Sequence, residues 1–322
     1  MARVFITGAL GFIGRALTAR LQAEGHDVTG VDLRADADRG VVAGDVAIPG
    51  DWQRAAAGAD VVVHTAAVVS LRLDRPDDVW RANVLGTSHA LVAAIDGGAR
   101  RFVHVSSVTV FGFDFPDGVT ERYPVRITGV PYPDTKIASE QHVLQAHAHG
   151  VIEGVVVRPG DVYGPGSRPW AIQPTELIRK RRFALPDHGR GIFSPVYVDD
   201  LVEGMARAVT APAAAGKVLT LSGGVGVPNR EFFGAYADAL GRRLLLLPTP
   251  VAKAGAAIAR QALRFGSGDN DLNPRAAEYM LRRGTYGIGH AHEVLGWEPQ
   301  VAVGDGLERT VAWLRAAGHI PG

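Results

Sequence analysis

Short runs of β-branched residues alternate with amphipathic segments through the first half of the chain. The runs RVFITG at the N-terminus, VVVH at 61–64 and GVVVR at 154–158 show no alternation of polar and apolar positions. Strands of this composition are buried on both faces, as in parallel sheets covered by helices. Helical patterns separate them, at 14–25, at 76–96 and after Tyr132. The pattern predicts an α/β fold with a doubly wound parallel sheet.

From Arg158 onward the composition of the chain changes. The sequence RPGDVYGPGSRPW is rich in glycine and proline, which favour turns and loops. Later segments mix helical patterns with brief strands. The stretch from Phe193 to Val209, followed by GKVLTLSGG, has the pattern of a chain that returns to the first sheet. We therefore expect a nucleotide-binding domain of residues 1–160 to which 192–222 return. A smaller, interleaved C-terminal substrate lobe would consist of 161–191 and 223–322.

Composition narrows the choice of partners. The chain has 34 Lys and Arg against 33 Asp and Glu. Its net charge is too small to indicate electrostatic binding of nucleic acid or of an anionic membrane. It has no cysteine, which excludes disulfides, thiolate nucleophiles and Cys-ligated metals. The N-terminus enters a strand pattern without a charged leader, and no apolar run reaches the roughly 18 residues of a membrane span. We expect a cytoplasmic protein that acts on a small molecule.

The first strand leads into TGALGFIGRAL, which spaces Gly8, Gly11 and Gly14 where a helix must begin. Such glycines let the backbone turn tightly and approach a pyrophosphate, whose charge is favoured at a helix N-terminus. This context predicts a Rossmann-type dinucleotide site. Asp32 lies 18 residues beyond Gly14, where a carboxylate binds the adenosine ribose and repels a 2′-phosphate. NAD is therefore favoured over NADP, with Arg34 as the residue that could reverse the preference.

The sequence PYPDTK at 131–136 holds a tyrosine four residues before a lysine. Pro133 suits the first position of a helix, which would place Tyr132 at the cap and Lys136 one turn away on the same face. Taken alone, this pair is more typical of an ordinary helix start than of a catalytic site. Three histidines further along the helix, His142, His147 and His149, do not share one face, so no metal site is predicted.

With these motifs the chain resembles the extended short-chain dehydrogenase/reductases, the NAD-dependent epimerase/dehydratase group, and within it the 3β-hydroxysteroid-dehydrogenase-like branch. The resemblance covers nearly the whole chain. Its further landmarks, in order, are GDV, VVVHTAA, RANVLGT, VSSVTVFG, VVVRPGDVYGPG and VYVDDL. It implies an NAD-dependent enzyme with a Ser-Tyr-Lys site.

The resemblance also assigns residues. It implies catalytic roles for Ser107, Tyr132, Lys136 and Asn83, with Ser107 preferred to Ser106 because it lies five residues before Gly112. The residues expected to bind the cofactor are Gly8, Leu10, Gly11, Phe12, Ile13, Gly14, Asp32, Arg34, Asp45, Val46, His64, Ala66, Ala67, Asn83, Tyr132, Lys136 and Pro159. The charge of Lys136 is expected to lower the pKa of Tyr132 toward 7, so that the phenol can act as a base.

Departures from the family pattern bear on the substrate. Val108 and Thr109 stand where sugar-nucleotide dehydratases carry an Asp-Glu pair, and Phe193 stands where many nucleotide-sugar epimerases carry an arginine. We expect interconversion of a secondary alcohol and a ketone on a mostly apolar molecule that contacts Ser107, Val108, Tyr163 and Phe193. Two alternatives stay open: a nucleotide-sugar epimerase and a catalytically silent NAD-binding protein. The resemblance also implies a homodimer formed through a four-helix bundle, from the helices near 79–95 and 135–148.

Overall fold

A computed structural model describes residues 1–70, 75–255 and 274–321. Its strands are β1 (Arg3–Thr7), β2 (Asp27–Asp32), β3 (Val41–Ala43), β4 (Val61–His64), β5 (Arg101–Val105), β6 (Glu153–Pro159), β7 (Asp161–Tyr163), β8 (Ala184–Leu185), β9 (Ile192–Phe193), β10 (Pro195–Tyr197), β11 (Val218–Leu221), β12 (Val227–Pro228) and β13 (Leu245–Leu246). Its helices are α1 (Phe12–Ala23), α2 (Pro76–Trp80), α3 (Gly86–Asp96), α4 (Pro131–Ala148), α5 (Gln173–Arg179), α6 (Val198–Thr210), α7 (Asn229–Ala239), α8 (Pro274–Tyr279), α9 (Gly289–Leu295) and α10 (Val303–Ala316).

The centre of the molecule is a seven-stranded sheet in the order β11-β6-β5-β4-β1-β2-β3. Every pair of neighbouring strands in it is parallel. The run Val61, Val62 and Val63 of β4 is fully buried because the sheet is covered on both faces. This confirms the predicted Rossmann-type, doubly wound fold. It also places the carboxyl ends of β1, β2, β4, β5 and β6 along one edge.

The helix predicted near 76–96 is continuous, because a π-helical turn (Arg81–Leu85) joins α2 to α3. Helix α4 begins two residues earlier than the sequence predicts, with Val130 as its N-cap and Pro131, rather than Pro133, at the first position. The Asp134 carboxylate holds this start by accepting hydrogen bonds from the backbone N–H groups of Thr128 and Gly129. Tyr132 is thus inside the first turn, and Lys136 still lies one turn further along.

The segments after β6 form smaller pieces of sheet. Strand β7 pairs with β10, β12 with β9 and β13 with β8. Strand β11 pairs in parallel with β6, so the chain does return to the main sheet after α6. The division of the remaining segments into a substrate lobe stays a prediction. In the part of the chain that the structure describes, no helix is long and apolar enough to cross a membrane.

Gly14 is required where α1 approaches the end of β1. A Cβ added to it would lie 2.1 Å from the Gly8 carbonyl oxygen and 3.0 Å from the Ala9 Cα. Both neighbours are backbone, which cannot swing aside. Gly234, in α7, has no atom within 4 Å of its added Cβ and provides a matched comparison.

We expect Gly14→Ala to lower the free energy of unfolding by about 1–3 kcal/mol, because the added methyl group forces the helix away from the strand. Gly234→Ala should raise it by up to about 1 kcal/mol through helix propensity. Urea denaturation of both variants measures the difference. Equal effects of the two substitutions would show that the contact does not constrain α1.

Candidate functional site

A cavity of about 950 Å³ runs along the carboxyl edge of the main sheet. Its lining takes residues from the ends of the parallel strands, including Gly8 after β1, Asp32 of β2, Thr65 after β4 and Pro159 of β6. In open parallel sheets this edge is where ligands bind. The other side of the cavity is formed by segments 169–186 and 247–280 as far as the structure describes them.

The glycine turn fits a dinucleotide. Gly8 has a φ of +70°, and its added Cβ would lie 2.8 Å from the backbone of Ala66, so only glycine suits the turn. Helix α1 then begins with Gly11 as its N-cap, without a side-chain cap and without acidic residues in its first turn. Its N–H groups and dipole are free to favour a pyrophosphate. Gly8, Gly11, Phe12, Ile13 and Gly14 all line the cavity.

Asp32 connects the glycine turn to β2. Its Oδ2 accepts a hydrogen bond from the Leu10 N–H at 2.9 Å, and its Oδ1 accepts one from the Leu33 N–H at 2.8 Å. The carboxylate therefore stays at the cavity wall, where its charge opposes a phosphate on the ribose. Leu10 contributes to this arrangement through its backbone and does not line the cavity.

The other predicted cofactor contacts on this side of the sheet divide into two groups. Asp45, Val46, Ala66 and Ala67 line the cavity. Arg34 is exposed and does not line it, so its predicted contact stays a prediction. The geometry agrees with NAD as the cofactor.

His64 is directed into the sheet interior rather than toward the cavity. It is 1% exposed, and its Nδ1 lies 2.7 Å from the Thr7 hydroxyl. Its ring stacks on that of His104 with centroids 5.6 Å apart. Burial, with a smaller contribution from the charge of Lys136, lowers the pKa of His64 to about 3, so the ring is neutral. The His64 side chain does not face the cavity because successive residues of the chain at the end of β4 point to opposite faces, and it is Thr65 that lines the cavity.

Ser107, Tyr132 and Lys136 come together on the cavity wall. The Ser107 Oγ accepts hydrogen bonds from the backbone N–H and the hydroxyl of Thr109, at 3.2 and 3.0 Å, and is hydrogen-bonded to Tyr132. Ser106 makes a different contact, since its hydroxyl donates to Glu140 at 2.5 Å. Of the two serines, Ser107 is therefore the one whose hydroxyl is shared with the phenol.

Lys136 is buried on the same wall of the cavity as Tyr132. Its Nζ donates a hydrogen bond to the Val105 carbonyl at 2.7 Å. Burial lowers the pKa of Lys136 to about 8, and the carboxylate of Glu140 opposes that shift. Glu140 itself accepts two hydrogen bonds from the guanidinium of Arg158, at 2.9 and 2.7 Å. A buried ion pair thus lies one helical turn behind the lysine.

The pKa of Tyr132 does not follow the expectation from the sequence. Burial raises it to about 12, and the hydrogen bond with Ser107 opposes this rise. The expected shift toward 7 required the ammonium of Lys136 to lie against the phenol, whereas it is hydrogen-bonded to Val105. In the geometry described, Tyr132 keeps its proton at neutral pH.

Asn83 holds two elements together and does not line the cavity. Its Oδ1 accepts a hydrogen bond from the Val68 N–H at 2.8 Å, while its Nδ2 donates to the Val68 carbonyl and to the Thr135 hydroxyl, both at 3.0 Å. These bonds fix the segment after β4 against the first turn of α4. Asn83 is therefore a positioning residue, through its effect on the turn that carries Tyr132.

Three predicted substrate contacts are core residues. Val108, Tyr163 and Phe193 are at most 1% exposed, and none lines the cavity. Phe193 packs against the rings of Phe232 and Trp170, with centroids 4.2 and 4.9 Å away. The Tyr163 hydroxyl donates to the Val303 carbonyl at 3.3 Å. Replacement of an arginine by Phe193 thus completes an aromatic core and says nothing directly about the ligand.

Several cavity residues were not predicted from the sequence. Thr109 positions the Ser107 hydroxyl, and Asp161, Trp170 and Tyr279 form part of the far wall. The apolar side chains of that wall include Pro169, Trp170, Leu177, Phe183, Leu185, Leu247 and Met280. Asp161 could have been found, because it follows β6 at the carboxyl edge. Tyr279 had no such signal, since its position depends on the packing of distant segments.

Comparison with known proteins gives consistent matches. Residues 4–221 match the profile of the NAD dependent epimerase/dehydratase family. The chain is 32% identical to the 4-hydroxy-2-methyl-3-oxo-4-farnesyl-3,4-dihydroquinoline-1-oxide ketoreductase of Stigmatella aurantiaca, over 98% of this chain and 96% of that protein. It is 30% identical to a UDP-glucose 4-epimerase of Mycolicibacterium smegmatis, over 97% of this chain and 98% of that one. MoeE5, solved in complex with UDP-glucose and NAD, superposes with a TM-score of 0.79 at 25% identity, over 98% of this chain and 99% of MoeE5.

The lowered pKa of Lys136 predicts a specific dependence of stability on pH in the protein without cofactor. In the unfolded chain the lysine titrates near 10.5, and in the folded protein near 8. Between these values the unfolded state binds more protons, so this residue makes the free energy of unfolding rise with pH, by about 3 kcal/mol. Below pH 8 the lysine is charged in both states, so burial of its charge lowers the free energy of unfolding by the full amount.

Lys136→Met removes that cost, so the stability of the variant relative to the wild type should decrease by about 3 kcal/mol between pH 7 and pH 10. Urea denaturation at several pH values measures it. If the free energies of unfolding of variant and wild type differ by the same amount from pH 7 to pH 10, Lys136 is not desolvated.

Proposed function

The chain belongs to the NAD dependent epimerase/dehydratase family and is an NAD-dependent enzyme of the extended short-chain dehydrogenase/reductase type; on that premise we propose that it interconverts a secondary alcohol and a ketone on a mostly apolar small molecule. The observation that carries the proposal is the continuity of one cavity. The glycine turn lies at one end, and Ser107, Tyr132 and Lys136 lie on its wall. The far wall combines apolar side chains with Asp161, Gln173 and Arg182.

The far wall supports an apolar substrate. Trp170, Leu177 and Phe183 present ring or alkyl surface to the cavity, together with Leu247 and Met280 from later in the chain. Each Å² of apolar surface removed from water contributes roughly 25 cal/mol to binding. Affinity should therefore increase with the hydrophobic area of the substrate. The Stigmatella aurantiaca relative is itself named a ketoreductase, which agrees with this reaction class.

NAD, Tyr132 and Ser107 would each have a separate role in the reaction. Bound NAD would supply the hydride chemistry, the transfer of one proton and two electrons together to or from the carbinol carbon. Tyr132 donates its hydroxyl proton to the ketone oxygen during reduction and takes it back during oxidation. Ser107 donates a hydrogen bond to the same oxygen, since Thr109 occupies only the acceptor side of its hydroxyl.

Lys136 supplies positive charge on the cavity wall that carries Tyr132. Its pKa near 8 keeps the ammonium charged at neutral pH, and this charge favours the phenolate that forms whenever Tyr132 gives up its proton. Glu140 supports the charged state of the lysine from the next turn of α4. Asn83 keeps the first turn of α4 in place through Thr135.

We expect Tyr132→Phe to reduce turnover by about 10²–10⁴-fold, because it removes the proton donor and leaves the ring in place. NAD affinity should be nearly unchanged. Tyr163→Phe is the matched control, since that hydroxyl lies in the aromatic core outside the cavity, and it should retain turnover. Absorbance of the reduced cofactor with a panel of sterols and aryl ketones measures both. Undiminished turnover in Tyr132→Phe would remove this residue from the mechanism.

The alternative function is nucleotide-sugar epimerisation, which the UDP-glucose 4-epimerase relative favours. The same catalytic wall would serve it, and the difference would lie in recognition of a nucleotide diphosphate. Titration calorimetry of the NAD-loaded enzyme with UDP distinguishes the two. Micromolar binding would replace the apolar assignment with the epimerase.

We also propose that the protein is a homodimer formed through α2–α3 and α4. Helix α3 packs beside α4. The first of these segments leaves Trp80, Leu85 and Val92 between 39% and 48% exposed. Apolar side chains exposed in this way are commonly covered in an interface.

Val92→Arg should convert the dimer into monomers in sedimentation velocity, because a charge in the apolar centre of an interface is costly. Val225→Arg, at an equally exposed position before β12, should leave the dimer intact. A wild-type protein that sediments as a monomer would exclude this proposal.

A further inference from the structure

We propose that one face of the protein binds the surface of an anionic lipid membrane, through a basic and apolar patch that borders the cavity. The patch consists of segments 177–186 and 239–255, which contain β8 and β13. The inference goes beyond the proposed function and rests on it only for the purpose of the contact, since a membrane would hold an apolar substrate in solution. Binding itself can be measured without any substrate.

The patch separates charge within the chain. Its two segments hold seven of the 34 basic residues and none of the 33 acidic ones, so the rest of the chain carries a net charge of −6. All seven basic residues are exposed: Arg179, Lys180, Arg181, Arg182, Arg242, Arg243 and Lys253. The net charge of +1 for the whole chain therefore conceals a strongly cationic surface.

The pairing of β8 with β13 brings the two basic runs together. The strands are parallel, with Ala184 opposite Leu245. Arg182 and Arg243 each lie two residues before this pair, so both runs approach the same end of the two strands. Like charges gathered in this way repel one another, and an anionic surface relieves the repulsion.

The cations of the patch are available to a partner. Within the part of the chain that the structure describes, none of the seven basic side chains makes an ion pair or a hydrogen bond. Asp187, the acidic residue that follows the first segment, is already paired with Arg190 and Arg283.

Exposed apolar side chains adjoin these cations. Leu245 and Leu246 follow Arg243, and Val251 precedes Lys253; the three apolar residues are between 40% and 53% exposed. Other side chains of the same segments line the cavity, among them Leu177, Phe183, Leu185 and Leu247. The two segments therefore form both the outer patch and part of the wall around the proposed substrate site.

The combination of charge and apolar surface favours a membrane over a soluble polyanion. Each Lys or Arg near an anionic bilayer strengthens binding roughly fivefold, and exposed apolar side chains enter the boundary between headgroups and acyl chains. Single-stranded nucleic acid is typically bound by cations together with aromatic rings that stack on the bases. Phe183 is the one aromatic residue in the sequence of the two segments, and it is buried.

Cosedimentation with lipid vesicles tests the proposal. The NAD-loaded protein should bind vesicles in which about a third of the lipid is phosphatidylglycerol, and should not bind phosphatidylcholine alone. Added salt should weaken the binding, because it screens the charges. Arg242→Gln/Arg243→Gln should weaken it about 25-fold, since two cations are lost. Arg122→Gln/Arg315→Gln is the matched control, because both arginines are exposed and lie outside the patch, and it should bind like the wild type.

Val251→Ser distinguishes a membrane from a soluble polyanion. It removes an exposed apolar side chain and keeps every charge, so it should weaken binding to the anionic vesicles several-fold and leave binding to heparin unchanged. Binding to heparin without binding to the vesicles would overturn the proposal in favour of a soluble polyanion. No binding to anionic vesicles would overturn it as well, as would equal losses in the two double variants.

Activity is measured separately. Turnover of a water-soluble aryl ketone without vesicles should be the same in Arg242→Gln/Arg243→Gln as in the wild type, since neither arginine is among the described residues that line the cavity. With a sterol supplied in anionic vesicles, the KM of this variant should rise. A wild type that binds the vesicles and reduces no ketone would contradict only the proposed function, and so the two failures are distinguishable.

Discussion

The close contact between Gly14 and the Gly8 carbonyl is the constraint on which the rest of the site depends. It brings the first turn of α1 against the end of β1, and this leaves room for a pyrophosphate at the helix N-terminus. Asp32 reinforces the turn through the Leu10 N–H, so the residue predicted to select the ribose also holds the loop predicted to bind the phosphates. The Asp32 side chain therefore links the predicted preference for NAD to the backbone geometry of the glycine turn.

The parts of the site that depend on local chain geometry could be predicted from the sequence. The glycine turn, the end of β2 and the pair of Tyr132 and Lys136 are each set within one strand–turn–helix unit or one helical turn, and the structure brings them to one cavity. Side chains whose direction depends on packing could not be predicted. His64 and Phe193 occupy positions that the family pattern links to ligands, yet both turn into the interior.

The pKa values of the site residues were the property that the sequence predicted least well. A pairwise argument treats Tyr132 and Lys136 as an isolated couple, whereas both are deeply buried and burial acts on each more strongly than their neighbours do. The positions of Glu140 and Arg158 matter for the same reason, since they bring compensating charges from α4 and β6 behind the lysine. Spacing alone indicates which groups meet. It does not give the balance between desolvation and charge that sets their protonation.

The stacked histidines in the middle of the sheet have a consequence for acid stability. His64 and His104 are fully buried on neighbouring strands, and burial holds the pKa of each well below 6.5. Both rings stay neutral when the protein is folded, while in the unfolded chain they take up protons as the pH falls below about 6.5. Stability is therefore lost across the interval from that value down to about 3 for His64. Acid acts on the interior of this sheet, between β4 and β5, rather than only on the ion pairs at its surface.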